Sequence, residues 1–328
     1  MCWLARGLLV PALVILSAPA LASAQVVTFE AVGERALGMG GAFVGVANDA
    51  TAVAWNPAGL VSGGPAGMTI GWDQLQVGKS TDQPAAGARR QRTTLTSLGT
   101  WPMGLSYGSV DVTEVSRSGS DLGIFRASQL GLTVLQSVMP GLVVGSTMRV
   151  MRAGQATMLV GEPTLEDAFS SARDATVSRR TIFDLDVAAM ASSQTVRIGV
   201  ILKNLRSPDI DRNAETPSPL PRQARVGLAL IPTDGVTLAI DLDLNTVDLT
   251  GGLRQECAIG GETALGSRLS IRSGLRWSLK GARELTGTVG VSLKIRPSLW
   301  LDGHYGLARH DEAREGGVEP STPEWRPA

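Results

Sequence analysis

The sequence predicts an all-β fold, a transmembrane antiparallel β-barrel. Three observations predict it. The chain opens with an export signal, its body alternates apolar and polar residues over long runs, and its connections alternate between short and long.

The export signal is read from the first residues. Arg6 gives a positive start, Leu8 to Leu16 form a short apolar run broken by Pro11, and Ala22-Ser23-Ala24 offers a small-residue cleavage site before Gln25. This is the pattern of a secretory signal peptide, too short for a spanning helix. Residues 1–24 are therefore set apart from the fold. Cys2 leaves with them, so Cys257 stands alone and forms no intrachain disulfide. The full sequence is rich in glycine, with 39 residues, and only 18% of its residues are charged, with a net charge of +0. That balance argues against a nucleic-acid partner. No later apolar run reaches the length of a membrane helix. An exported, glycine-rich, weakly charged chain is either a periplasmic β protein or an outer-membrane barrel.

Periodicity distinguishes strand from helix. In "LSIRSGLRWSLK", Leu269, Ile271, Leu275, Trp277 and Leu279 alternate with Ser270, Arg272, Gly274, Arg276, Ser278 and Lys280. "VTLAIDLDLN" and "TGTVGVSLKI" repeat the period of two. Strands are expected near 67–77, 92–101, 103–115, 122–138, 141–153, 177–191, 194–204, 222–231, 235–246, 254–265, 268–280, 284–296 and 298–309. Several exceed the five or six residues usual in soluble sheets. A tilted spanning strand needs about 9–11.

The connections point the same way. Short turns fall at Pro102, Pro140-Gly141, Ser192-Ser193, Pro232 to Gly235, Gly266-Ser267 and Pro297. Longer links fall at 78–91, 116–121, 154–176, 205–221 and 247–253, with the link near Gly281 a short exception. Outer-membrane barrels have short periplasmic turns and longer outer loops, and normally an even strand number. Residues 310–328 carry three prolines and no alternation, so they are expected as an irregular tail in place of a last strand.

The stretch "ALGMGGAFVGVANDATAVAWNPAGL", Ala36 to Leu60, is different. Asn48 or Asp49 can cap a short helix over Ala50 to Ala54. Asn56 before Pro57 ends that helix, Pro57 opens a second turn and Gly59 closes it. Gly38, Gly40 and Gly41 permit tight packing or positive φ. Phosphate binding is not expected, because position 43, where a third glycine would stand, is Phe43.

This string resembles the N-terminal signature of the long-chain fatty acid transporter (FadL-like) superfamily, in its PorV-like and TraF-like branch. The matching residues are Ala36 to Ala42, Asn48-Asp49-Ala50 and Trp55-Asn56-Pro57-Ala58-Gly59-Leu60. Looser similarity runs through "FDLDVAAM", "VILKNL" and "LPRQARVGLAL". The resemblance implies a fourteen-strand barrel over 66–309, with residues 25–65 as a hatch that plugs the lumen. It assigns ligand binding or gating in that hatch to Gly38, Gly40, Gly41, Asp49, Asn56, Pro57, Ala58 and Gly59.

With the apolar sets facing lipid, the polar sets face inward. Arg225, Asp241, Asp243, Arg254, Glu256, Glu262, Arg272 and Arg276 are then a lumen charge network with opposite signs on neighbouring strands. It reads either as ion pairs filling the interior or as a charged permeation path. Asp184, Asp186, Arg197, Lys203, Lys294 and Asp302 share that face. His304 lies beside Asp302 without a placed nucleophile, so neither an enzyme nor a metal or other cofactor is expected. Two functions remain: passage of small hydrophobic or amphipathic molecules across the outer membrane, or docking of exported proteins on a non-transporting barrel, as in PorV-like members. Expected partners are outer-membrane lipid and either a hydrophobic small molecule or exported proteins.

Overall fold

A computed structural model describes residues 32–77, 88–115, 121–159, 164–210, 219–249, 252–281, 283–311 and 326–327. The expected signal peptide and most of the expected tail lie outside these residues.

Alternation over long runs yields one antiparallel meander. In chain order the strands are Ala66–Val77 (β1), Arg89–Thr100 (β2), Met103–Val115 (β3), Asp121–Met139 (β4), Leu142–Leu159 (β5), Arg180–Ser192 (β6) and Val196–Lys203 (β7). Then follow Gln223–Thr233 (β8), Val236–Asp243 (β9), Val247–Leu249 (β10), Gly252–Leu265 (β11), Leu269–Lys280 (β12), Arg283–Arg296 (β13), Leu299–Asp311 (β14) and Arg326–Pro327 (β15). Each pairs with its neighbour in order, save that β9 joins β11 directly and β10 folds back on β11. The short turns all fall at one end of the sheet and the long links at the other, β12 to β13 excepted.

Faces follow the period. Leu238 and Ile240 on β9, Ile271 and Leu275 on β12, and Val289, Val291 and Leu293 on β13 are exposed outward. Trp72 on β1 is 75% exposed, a large apolar surface of the kind that membrane or protein contacts cover. Asp184, Asp241 and Arg272 alternate with these sets and are buried inward.

Two regions differ from expectation. β4 and β5 are longer than the alternation suggested, because Asp121 to Arg126 pair with Gly154 to Leu159 beyond the expected end of β5. The link over 247–253 contains the β10–β11 hairpin, with Val247 opposite Arg254. The long link after β5 holds a helix, Leu165–Asp174 (α3), capped by Thr164, whose hydroxyl accepts from the Asp167 N–H at 3.3 Å.

A last full-length strand is not seen among the described residues. The dipeptide β15 pairs with Leu307 and Ala308 of β14. β14 and β1 are not hydrogen-bonded neighbours, yet His304 of β14 meets Asp73 of β1 at 3.2 Å, so the sheet has curled until its ends approach. His304 is thus a structural partner of Asp73.

The inner face carries two apolar clusters. The first joins the N-terminal segment to wall residues Leu95, Leu135, Val143, Met190, Ile201, Ala229 and Ala258. The second gathers Val110, Val112, Phe125, Ala127, Met151, Ala153 and Ile182 of β3 to β6 with Ile210 and Leu220 from the link after β7. A third, around α3, lies on the outward side of β3 and β4.

Candidate functional site: the N-terminal segment against the barrel lumen

Residues 32–63 have too few large apolar side chains to form a core alone, yet most are buried. Their burial comes from the inner face of the wall.

The segment folds through local chemistry. A first turn, Glu34–Gly38 (α1), ends in Gly40 and Gly41, both at positive φ (70° and 83°). Asp49 Oδ1 accepts from the Thr51 N–H at 2.9 Å and so organises the turn into Ala52–Trp55 (α2), which starts two residues later than the sequence reading placed it. Asn56 is extended before Pro57, and its Oδ1 caps the following 3₁₀ turn, Pro57–Ser62, by accepting from the Ala58 N–H at 3.1 Å. Trp55 donates to the Val32 carbonyl at 2.9 Å and packs edge-on against Phe43.

The wall receives this backbone on glycines. A Cβ at Gly145 of β5 would come within 2.6 Å of the Ala58 nitrogen, and one at Gly227 of β8 within 2.6 Å of the Gly45 nitrogen. Gly199 of β7 faces the Val44 carbonyl, and Gly260 and Gly274 of β11 and β12 face Met39. Side chains there would occupy the space that the segment fills. Reciprocally, Gly38 abuts Arg272 and Gly290, and a Cβ on Gly59 would clash with the Ala47 carbonyl inside the segment.

Polar anchors fix the seating at five further points. Asp241 Oδ2 accepts from the backbone N–H groups of Phe43 and Val44 at 2.9 and 2.8 Å. Arg35 forms a two-pronged pair with Glu262 at 2.8 and 2.7 Å and also reaches Asn48 and Asp49. Asn56 donates to the carbonyls of Val44 and Ala189 at 2.9 and 3.3 Å. Thr288 donates to the Gly38 carbonyl at 3.1 Å. On β1, the Glu34 carboxylate accepts from the Trp72 N–H at 3.2 Å. Burial there raises the Glu34 pKa above its usual range, against the opposing pull of its backbone hydrogen bonds.

The charged residues form a continuous inner ladder. Arg225 pairs with Asp243 at 2.6 Å and Glu256 at 3.5 Å, while Arg254 and Arg276 approach Glu256 at 2.6 and 3.6 Å. Arg272 bridges Glu262 and Asp302 and reaches Ser292. Because these charges satisfy one another and Arg35, they act as wall and anchor. Lys203 and Arg225 also border a narrow gap floored by Val44, Trp55 and Ile201 beside the segment.

Two features went unread in the sequence. One is the apolar lining of β3 to β6, hidden because β4 is apolar on both faces through "LGIF". The other is a buried network in which Arg149 donates to Asp184, Asp186 and Asn204 at 3.1, 2.7 and 2.7 Å. Asn204, at φ 58°, and Ser207 then turn the following link inward, with Ser207 donating to the Leu220 carbonyl at 2.6 Å. The "KN" after β7 was the available signal, since asparagine tolerates that backbone region.

No protein-family model matches the chain, and no curated protein matches it. Solved structures do. A "CymD monoaromatic hydrocarbon channel" superposes with a TM-score of 0.62 at 12% identity, covering 86% of this chain and 93% of that one. A Pseudomonas aeruginosa FadL homologue superposes with a TM-score of 0.60 at 10% identity, covering 88% and 91%. The fold is that of the FadL-like channels. Within this FadL-like barrel the N-terminal segment, the inner glycines and the ladder occupy one continuous inner surface.

Proposed function

We propose that this chain is an outer-membrane channel for small hydrophobic or amphipathic molecules, closed in the present state by residues 25–65 acting as a hatch. The observation that carries the reading is the apolar inner lining of Val110, Val112, Phe125, Met151 and Ile182 facing Ile210 and Leu220 within a wall whose outward face is also apolar. Over this patch an apolar solute gains by leaving water. The likeness in fold to a monoaromatic hydrocarbon channel supports the same substrate class.

The path has two closures in this reading. The link after β7, held inward by the Arg149 network, is the outer one. The hatch is the inner one, with Asn56-Pro57-Ala58-Gly59 at its wall contact. Between them lies the gap at Val44, Trp55 and Ile201, bordered by Lys203 and Arg225. Passage requires release of the Asp241 and Glu262 anchors. The ladder from Arg225 to Arg276 keeps the wall rigid while the hatch moves.

Uptake of labelled toluene and of a labelled long-chain carboxylate into cells lacking their own hydrophobic channels tests this. Expression of the full chain should raise the initial rate several-fold, and Phe125→Arg should abolish the gain while preserving the folded barrel. A barrel that inserts correctly and leaves both rates at background contradicts the reading and favours a docking role.

A further inference from the structure

The outward face of the wall is not uniform. On β9 and β12 it stays apolar to the outer ends of the strands, with Leu242 and Leu244, then Leu275 and Leu279, all exposed. On β2 to β5 it changes abruptly. Tyr107 lies opposite Thr96 and Leu130, all in the outward set. One step outward, about 7 Å along the strand, Ser109 faces Thr94 and Ser128, and Ser128 faces Arg152. A further step brings Arg92, Asp111 and Arg126 side by side.

These basic groups have different surroundings. Arg126 is occupied: its guanidinium donates to the carbonyls of Ala175 and Ala172 at the end of α3, at 2.9 and 2.6 Å, and lies 3.5 Å from Asp111. It holds α3 against the outward side of the wall, with Phe169 under Arg90. Arg92 has the neutral Gln74 as its partner at 3.3 Å. Arg92 and the exposed Arg173 of α3 both stand close enough to Arg90 to repel it. One positive pole therefore gathers around Arg92 and Arg173. Arg152, exposed on β5, is a second. Three strand spacings separate the columns of Arg92 and Arg152, about 14 Å, and the hydroxyls of Thr94, Ser109 and Ser128 lie between. Apolar surface is immediately below, where Tyr107, Leu130 and Val150 are exposed.

We propose that this face binds a phosphorylated glycolipid of the outer leaflet, with one phosphate at Arg92 and Arg173, a second at Arg152, and acyl chains on Tyr107, Leu130 and Val150. Guanidinium groups match phosphate oxygens in charge and geometry. The hydroxyl row between the poles suits a sugar headgroup. The apolar step below fixes the depth at which the headgroup must sit. The site is asymmetric because the β9 and β12 faces carry no corresponding arginines at their exposed outer ends. The proposal rests on the outer-membrane reading above but not on transport.

The test uses the purified full chain in detergent. Binding of diphosphorylated lipid A is followed by native mass spectrometry and by the thermal midpoint, beside its dephosphorylated form and inorganic phosphate. The expected result is binding of lipid A at least tenfold tighter than of the dephosphorylated form, undiminished by millimolar phosphate. Arg92→Gln combined with Arg152→Gln should lose that tenfold preference while retaining heat-modifiable migration and wild-type hydrocarbon uptake. Should the pair impair folding, Arg173→Gln on the exposed helix should still weaken binding several-fold. Equal binding of both lipid forms, full competition by inorganic phosphate, or unchanged affinity in a folded variant would overturn the proposal. Because uptake is read separately, a channel that transports without this preference refutes the lipid site alone.

Discussion

Glu34 and Arg149 illustrate how single side chains hold the N-terminal segment and the link after β7. Glu34 is a partly buried carboxylate against β1, and burial raises its pKa. A raised folded-state pKa means that its contribution to docking is fullest in acid, below the ordinary carboxylate range, and is lost as pH rises through the elevated value. Protection of residues 34–60 against hydrogen exchange, referred to the intrinsic rate at each pH, should therefore be greater near pH 4 than near pH 7, and Glu34→Gln should remove that dependence and raise protection at neutral pH. Arg149 donates to both Asp184 and Asp186, which are buried. Arg149→Met leaves two carboxylates without their counter-charge, a loss of about 3–5 kcal/mol for a broken buried pair. Denaturant unfolding should show that loss, while Arg152→Met, three residues along the same strand and exposed outward, should change stability by less than about 0.5 kcal/mol.

The N-terminal segment depends on glycines that belong to other elements. Gly227→Val places a side chain where the Gly45 backbone lies. The segment should then become protease-sensitive while the strands still form, a result read by limited trypsin digestion beside heat-modifiable migration. Asn56→Ala removes three hydrogen bonds from a fully buried site and should cost about 1–3 kcal/mol, again at the segment and not at the wall. The strands were legible because a two-residue period survives in any barrel wall with lipid outside and charges inside, as Ile271-Arg272 and Leu275-Arg276 display. The Asn-Pro turn was legible because its caps are local. The anchors were not. Arg35 and Glu262 are far apart in sequence, and nothing in either neighbourhood announces the other. Arg149 and Asn204 escaped for the same reason, and the extra length of β4 and β5 was set by their mutual pairing rather than by alternation.

As a whole molecule the protein combines a FadL-like wall, an inward-turned outer link and an N-terminal segment seated on wall glycines. If the segment is a hatch, the wall must be stable without it, since the ladder from Arg225 to Arg276 is self-paired and the strands are joined from β1 to β14. When the segment leaves, Glu262 loses Arg35 but retains Arg272 at 3.4 Å, and Asp241 loses the Phe43 and Val44 N–H groups. The most direct measurement is conductance in planar bilayers of the full chain beside a variant lacking residues 36–60, both shown to migrate as folded barrels before heating. The hatch account predicts several-fold higher single-channel conductance for the deletion, with the full chain nearly closed. Equal conductance in two correctly inserted barrels would contradict it.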